Sequence, residues 1–228
     1  MTHAQQMPMP LALPVRLTRA DFKVAPCNAA ALAMLEQGEW PQGKLVLTGP
    51  EGSGKTHLLH VWAGARNAVL LDGAVLGAAD IAAIAAQGAV AVDGASDVAG
   101  NTASETALFH LHNLLAAQGG QLLLAARAPV RDWGIALPDL ASRLQAAAHI
   151  GLGAPDDALL AAVLGKLFTD RQLGVPDALI PFLLARMTRS LAAAQRLVAR
   201  LDAESMSRKK PVTVKLAADV MQMSLDFE

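Results

Sequence analysis

The sequence predicts an α/β fold, a five-stranded parallel sheet with helical crossovers, followed by a smaller all-α domain. Three observations predict it: five short apolar runs, helical patterns between them, and helical periodicity alone after Pro155. Strands buried on both faces carry continuous rather than alternating hydrophobicity, and a crossover helix lets each strand return parallel to the last. With 228 residues, 53% of them hydrophobic, the chain has enough apolar surface for two cores.

Residues 1–15, MTHAQQMPMPLALPV, have prolines at 8, 10 and 14 and no helical period, which predicts an extended tail. A core domain is expected over 16–154. It opens with a helix in CNAAALAMLEQ, N-capped by Asn28 and stopped by Gly38 and Pro41. The strands are KLVLTG at 44–49, AVLLDG at 68–73, AVAVDG at 89–94, QLLLAAR at 121–127 and HIGL at 149–152. A helical domain is expected over 155–228, with helices near 156–174, 177–187, 189–206 and 214–221.

Composition excludes several classes of function. A formal net charge of -1, with no basic half, argues against a dedicated nucleic-acid binder, and Arg208-Lys209-Lys210 reads as a solvated helix end. One cysteine, Cys27, read as a buried small apolar group, can form neither an internal disulfide nor a Cys-based zinc site. The alanine-rich runs are broken by Asp, Gln and Gly, so no membrane span is expected and the cytoplasm is the predicted location. His57, His60, His110 and His112 lack coherent ligand spacing.

The chemistry is concentrated in Gly49-Pro50-Glu51-Gly52-Ser53-Gly54-Lys55-Thr56, a complete phosphate loop between a strand and a helix. Its backbone N–H groups can turn toward an anion at the helix N-terminus, Lys55 can reach the outer phosphates, and Thr56 can ligate Mg2+. A strand-end aspartate should complete the metal site. Asp93 is favoured over Asp72, which then reads as a solvated strand end. The next residue is Gly94, where a self-sufficient ATPase would present a carboxylate base, and the following strand ends Ala125-Ala126-Arg127, with no small polar group unless Arg127 substitutes. These absences predict nucleotide binding with slow intrinsic hydrolysis.

Taken with FKVAPCN at 22–28, GKTHLLH at 54–60, LFHLHNLL at 108–115 and LPDLASRL at 137–144, the chain resembles the AAA+ ATPases of the DnaA family, and within it the Hda-like regulators. The similar segments span most of residues 20–227. The resemblance implies that the sheet is an AAA+ core, that the C-terminal helices form a lid, and that ATP or ADP is bound with Mg2+. It implies that Arg143, in the SRL element, acts as an arginine finger in a neighbouring subunit's nucleotide site, the alternatives being a helix cap or a pair with Asp139. It also implies that the backbone from Phe22 to Val24 contacts adenine. One departure stands out: Ala192 occupies the position of the lid arginine that senses the γ-phosphate, with Arg189 and Arg196 one turn to either side. Weak discrimination, with ADP favoured, is the expectation.

Two tails resemble the peptide by which such regulators bind the polymerase sliding clamp: Gln6-Met7-Pro8-Met9-Pro10-Leu11, and Gln222-Met223-Ser224-Leu225-Asp226-Phe227. The leader is favoured. The resemblance therefore implies a protein that, with the clamp, promotes hydrolysis of DnaA-bound ATP and inactivates the replication initiator. The expected partners are DnaA and the clamp, without sequence-specific DNA binding, and self-association is left open. The rival readings are a self-sufficient P-loop ATPase and an adaptor that recruits DnaA as a positive regulator.

Overall fold

The sheet is built from β1 (Lys44–Thr48), β2 (Val69–Asp72), β3 (Ala89–Asp93), β4 (Gln121–Ala126) and β5 (Ala148–Gly151), in the order β2-β3-β4-β1-β5. All four pairings are parallel, with Thr48 level with Ala126 and Asp72 level with Asp93. The coordinates are a computed structural model describing residues 17–225. The helices of the same part are α1 (Ala29–Gln37), α2 (Lys55–Arg66), α3 (Ile81–Ala85), α4 (Thr102–Ala117) and α5 (Pro138–Ala146).

Alternation along each strand sends side chains to opposite faces, and both faces are covered. Leu45, Leu47, Ala91, Leu123 and Ala125 pack with Leu32 and Leu35 of α1 and Leu58, Leu59 and Trp62 of α2. Val46, Val90, Val92, Leu122 and Leu124 pack with Leu108, Leu111 and Leu115 of α4 and Leu140 and Leu144 of α5. The central strands are buried on both sides, which explains their continuous apolar runs, whereas the edge strands β2 and β5 are only half-buried.

The chain divides into two compact units, Leu17–Ala154 and the segment from Pro155 onward. The second contains α6 (Asp157–Asp170), α7 (Leu179–Leu184), α8 (Leu191–Arg208) and α9 (Val214–Leu225). Leu164 and Phe168 of α6, Leu179 and Leu183 of α7, Ala194, Val198 and Leu201 of α8, and Val220 of α9 form its separate core. Asp156 and Ser190 cap α6 and α8 through their side chains.

Two local expectations need correction. Asn28 stands at the N-cap of α1, but its side chain does not cap the helix. It turns back instead, accepting from Ala25 N at 2.8 Å and donating to Lys23 O at 3.0 Å, because the 23–25 segment offers otherwise unpaired backbone groups. Cys27 is half-buried, not buried, and belongs to none of the apolar clusters; its carbonyl accepts from Gly153 N at 2.9 Å.

Among the described residues no helix is long and apolar enough to cross a membrane. Of the basic run, Arg208 pairs locally, with Glu204 at 2.8 Å and Asp219 at 3.5 Å.

Lys44 is an unexpected core group. Only 2% exposed, it donates to Gly120 O at 3.1 Å, and burial pushes its pKa down to about 8. The buried ring of His112 is held below its ordinary value by burial and then by the Lys44 charge. Because the folded state binds the Lys44 proton less tightly than the unfolded chain, its penalty on folding is complete below pH 8. It is relieved as pH rises from about 8 to about 10.5. Lys44→Met should therefore raise stability by about 2 kcal/mol at pH 7. Chemical denaturation should show that advantage shrinking toward pH 10, and an advantage independent of pH would refute the assignment.

Candidate nucleotide site

Gly54 sits at φ +102°, a conformation side chains avoid, and this bend ends the loop and starts α2 directly after β1. The N–H groups of Gly54, Lys55 and Thr56 take no partner among the described residues, so the positive end of a 12-residue helix faces the loop. Ser53 Oγ, inside the loop, is buried and has no hydrogen-bond partner among the described residues. Lys55 Nζ donates to the loop's own carbonyls, Gly49 O at 2.7 Å and Pro50 O at 2.8 Å. Its pKa is lowered first by burial, with the neighbouring Asp93 charge opposing that shift and Arg127 adding to it.

Thr56 Oγ1 donates to Asp93 Oδ2 at 2.6 Å, bringing the first turn of α2 against the end of β3. Asp93 Oδ1 accepts from Gly94 N at 3.0 Å, which orients the carboxylate. Asp72, the competitor, is turned to its own loop, accepting from Ala74 N at 2.8 Å in the 3-10 turn Gly73–Ala78. The hydroxyl–carboxylate pair is an oxygen donor set of the kind Mg2+ takes, and the unpaired N–H groups and Lys55 suit phosphate oxygens. No cluster of three His, Cys, Asp or Glu able to hold a metal occurs among the described residues.

Around this pair the sequence reading is extended at two points. A Cβ on Gly94 would come within 2.8 Å of Asp97 Oδ2, so the 3-10 turn Ala95–Val98 brings a carboxylate to the neighbourhood that residue 94 leaves empty. Arg127, just past β4, forms an ion pair with Glu51 of the loop, Nη2 to Oε2, at 3.2 Å. The glycine at 94 hid the first, and a separation of 76 positions hid the second.

Phe22 is 6% exposed and packs in the sheet core, its ring edge-on to His57 at 5.2 Å, while Val24 is exposed. His57 Nε2 lies 2.9 Å from Thr18 O, so the helix that follows the phosphate loop also holds the 18–22 segment in place.

Arg143 is exposed near the end of α5. Its guanidinium lies over the Phe109 ring of α4, 5.2 Å from the centroid, and it pairs neither with Asp139 nor with any other carboxylate among the described residues. The base of α5 is fixed by Glu105, a residue the sequence did not flag. This α4 carboxylate is 3% exposed and accepts from Gly100 N at 2.9 Å, Ala136 N at 3.1 Å and Leu137 N at 2.8 Å. Burial would raise its pKa, but the three backbone donors prevail and hold it below the usual carboxylate range.

In the helical unit, Arg189 Nη2 lies 3.1 Å from both carboxylate oxygens of Asp157. Ala192 is half-buried, and Arg196 is exposed without a partner among the described residues. Of the tail peptides, Gln6, Met7, Met9, Leu11 and Phe227 lie outside the described residues. Gln222 is exposed on α9, and Leu225 is the last residue of that helix.

No protein-family model matches the chain. Among solved structures it is similar to domain III of the replication initiation protein DnaA from Thermotoga maritima, with 19% identity and a TM-score of 0.77, covering 90% of this chain and 95% of that one. AMPPCP-bound DnaA from Aquifex aeolicus gives 17% identity and a TM-score of 0.65 over 82% of this chain and 67% of that one. The RuvB Holliday junction branch migration motor of Thermotoga maritima gives 21% and 0.64 over 86% and 66%. At these identities the likeness is one of fold, and the fold is that of the AAA+ ATPase domain.

Proposed function

We propose that the chain is a regulatory, nucleotide-binding AAA+ protein that supplies Arg143 in trans to the ATP site of DnaA and, together with the sliding clamp, promotes hydrolysis there. The observation that carries this reading is the state of Arg143: exposed on the surface, steadied by an aromatic ring, and paired with no carboxylate among the described residues. A stacking contact at an exposed site is worth about 0.5–1 kcal/mol, enough to bias the side chain without consuming its charge. A neighbouring phosphate could outbid it.

The chain's own nucleotide would be ATP or ADP, held by the 49–56 loop, with Thr56 and Asp93 as the Mg2+ ligands. Bound there, the ion would neutralise phosphate charge. Likeness to AMPPCP-bound DnaA and the paired Thr56 and Asp93 support this reading.

The test is single-turnover hydrolysis of ATP pre-bound to DnaA, with this protein and clamp-loaded DNA present. Stimulation that needs both supports the proposal. Turnover of free ATP by this protein alone, indifferent to DnaA and clamp, would establish the self-sufficient enzyme instead. Binding to DnaA with its nucleotide unchanged would establish the adaptor. Removing residues 1–15 should abolish clamp binding, measured by surface plasmon resonance, while removing 222–228 should preserve it; the reverse result would move the clamp peptide to the C-terminus.

A further inference from the structure

We propose that the turn between α8 and α9 is a phosphate-contacting surface that holds the protein on duplex DNA without reading its sequence. The inference stands apart from the readings of the nucleotide site and of Arg143, since every residue it uses lies in the helical unit.

Charge is the first argument. Between Glu204 and Asp219 lie Arg208, Lys209, Lys210 and Lys215 and no acidic residue. Both flanking carboxylates are taken by Arg208, at 2.8 Å and 3.5 Å. Elsewhere in the unit Lys166, Arg171 and Arg189 are matched by Asp170, Asp202 and Asp157. Lys209, Lys210 and Lys215 are exposed and pair with no carboxylate among the described residues. A formal net charge of -1 for the whole chain conceals this local excess.

Backbone geometry is the second. Lys209 ends α8 at φ +52° and ψ +42°, a left-handed conformation in which glycine is the usual residue because a β-carbon is strained there. The turn is nevertheless firmly tied. Lys209 N and Lys210 N donate to Met206 O at 3.2 Å and Ser205 O at 3.1 Å, and Ser205 Oγ donates to Lys210 O at 2.6 Å. Leu216 N then donates to Thr213 Oγ1 at 3.2 Å, which caps α9. The fold gains nothing from a lysine at 209, so what that residue contributes is its charge.

The chemistry of the lysines identifies the partner. A lysine ammonium is a compact charge on a flexible stem, suited to a row of phosphates rather than to one planar, two-pronged site. Duplex DNA presents such a row, with about one charge per 1.7 Å of its axis. No aromatic residue lies between Phe182 and Phe227, so α8 and the turn supply no platform for the stacked bases of a single strand.

The experiment is fluorescence anisotropy of the full chain with dye-labelled duplexes of two unrelated sequences, each about 20 base pairs, at about 25 to 200 mM NaCl. Affinity should agree between the sequences within about twofold, and its logarithm should fall with that of salt at a slope of about -2.7, or about 0.9 per lysine. Lys210→Gln and Lys215→Gln should each weaken binding about threefold at the lowest salt and reduce the slope by about one. Lys209→Gly should do the same while raising the melting temperature by a few degrees, a loss of binding that damage to the fold does not produce. Lys166→Gln, which removes a cation from α6, should leave affinity within about twofold. No binding by the wild type at the lowest salt, or an unchanged slope in the triple variant, would overturn the surface. Equal binding to polyglutamate of matched charge would overturn DNA as the partner, and tighter binding to a single strand would overturn the choice of duplex. None of these readouts involves nucleotide or DnaA, so failure of the proposed function leaves them in force.

Discussion

Replacing Arg143 by alanine should abolish stimulation of DnaA-bound ATP hydrolysis, by a factor on the order of 10³ or more, while leaving the fold intact. The magnitude follows from what an arginine finger does in trans: a planar, always-charged guanidinium placed on developing phosphate charge contributes about 10³ to 10⁵ in rate. The absence of a structural cost follows from the surroundings. Arg143 is exposed, and its one described contact, over Phe109, is worth about 0.5–1 kcal/mol. A change in melting temperature beyond a few degrees would mean that the residue is holding α5 in place. Arg143→Lys sharpens the test, because it keeps the charge but loses the two-pronged geometry. It should recover little of the rate at saturating concentration. Full rescue by lysine would mean that only field strength matters at this position, and an active Arg143→Ala would end the trans-acting reading.

How far such roles could be read from sequence depends on the range of the interactions. The five strands were legible because burial on both faces of β1, β3 and β4 writes an unbroken apolar run into the chain, and the loop glycines mark the turn into α2. The edge strands were legible more through their flanking turns than through their burial. The proximity of Asp93 to Thr56 followed from its place at the end of a strand, since strands and loop share one end of a parallel sheet. Side-chain partners were a different matter. Asn28 looks like a helix cap by type and position, yet nearby backbone groups outcompeted the helix for its amide. The Arg127–Glu51 pair and the approach of Asp97 to Gly94 are set by the spacing of strand ends, which composition and periodicity do not encode. Lys44 heads the apolar run of β1, and its burial with a hydrogen bond to Gly120 O, 76 positions away, is nothing that local pattern encodes.

Glu105→Ala should cost about 1–3 kcal/mol of stability, through three backbone hydrogen bonds lost at once. The glutamate lies in the first turn of α4, where the sequence suggests only a local role, bonding back to Gly100 N before Asn101, whose own side chain caps the helix through Ser104 N. Its second role spans more than 30 positions. Ala136 N and Leu137 N, at the start of α5, have no other acceptor described, and the N-cap residue Leu137 has no side chain able to cap. Removing the carboxylate deprives three backbone donors of their acceptor, but Gly100 and Ala136 are exposed and Leu137 half-buried, so water takes up part of the loss and about 1–3 kcal/mol in all remains. Glu105→Gln should restore only part of this, because its amide nitrogen would face N–H groups that need an acceptor. The sign with pH is also fixed. A carboxyl held below its unfolded value stabilises fully above about pH 4.3, and that stabilisation drains away as pH falls through the folded value. Wild type should thus lose more stability than Glu105→Ala on acidification. Hydrogen exchange should show faster amides at 136–140 in the variant, ahead of the strands, because the base of the arginine-bearing helix is what loosens. If exchange there matched wild type while global stability fell, Glu105 would be a core group with no hold on α5.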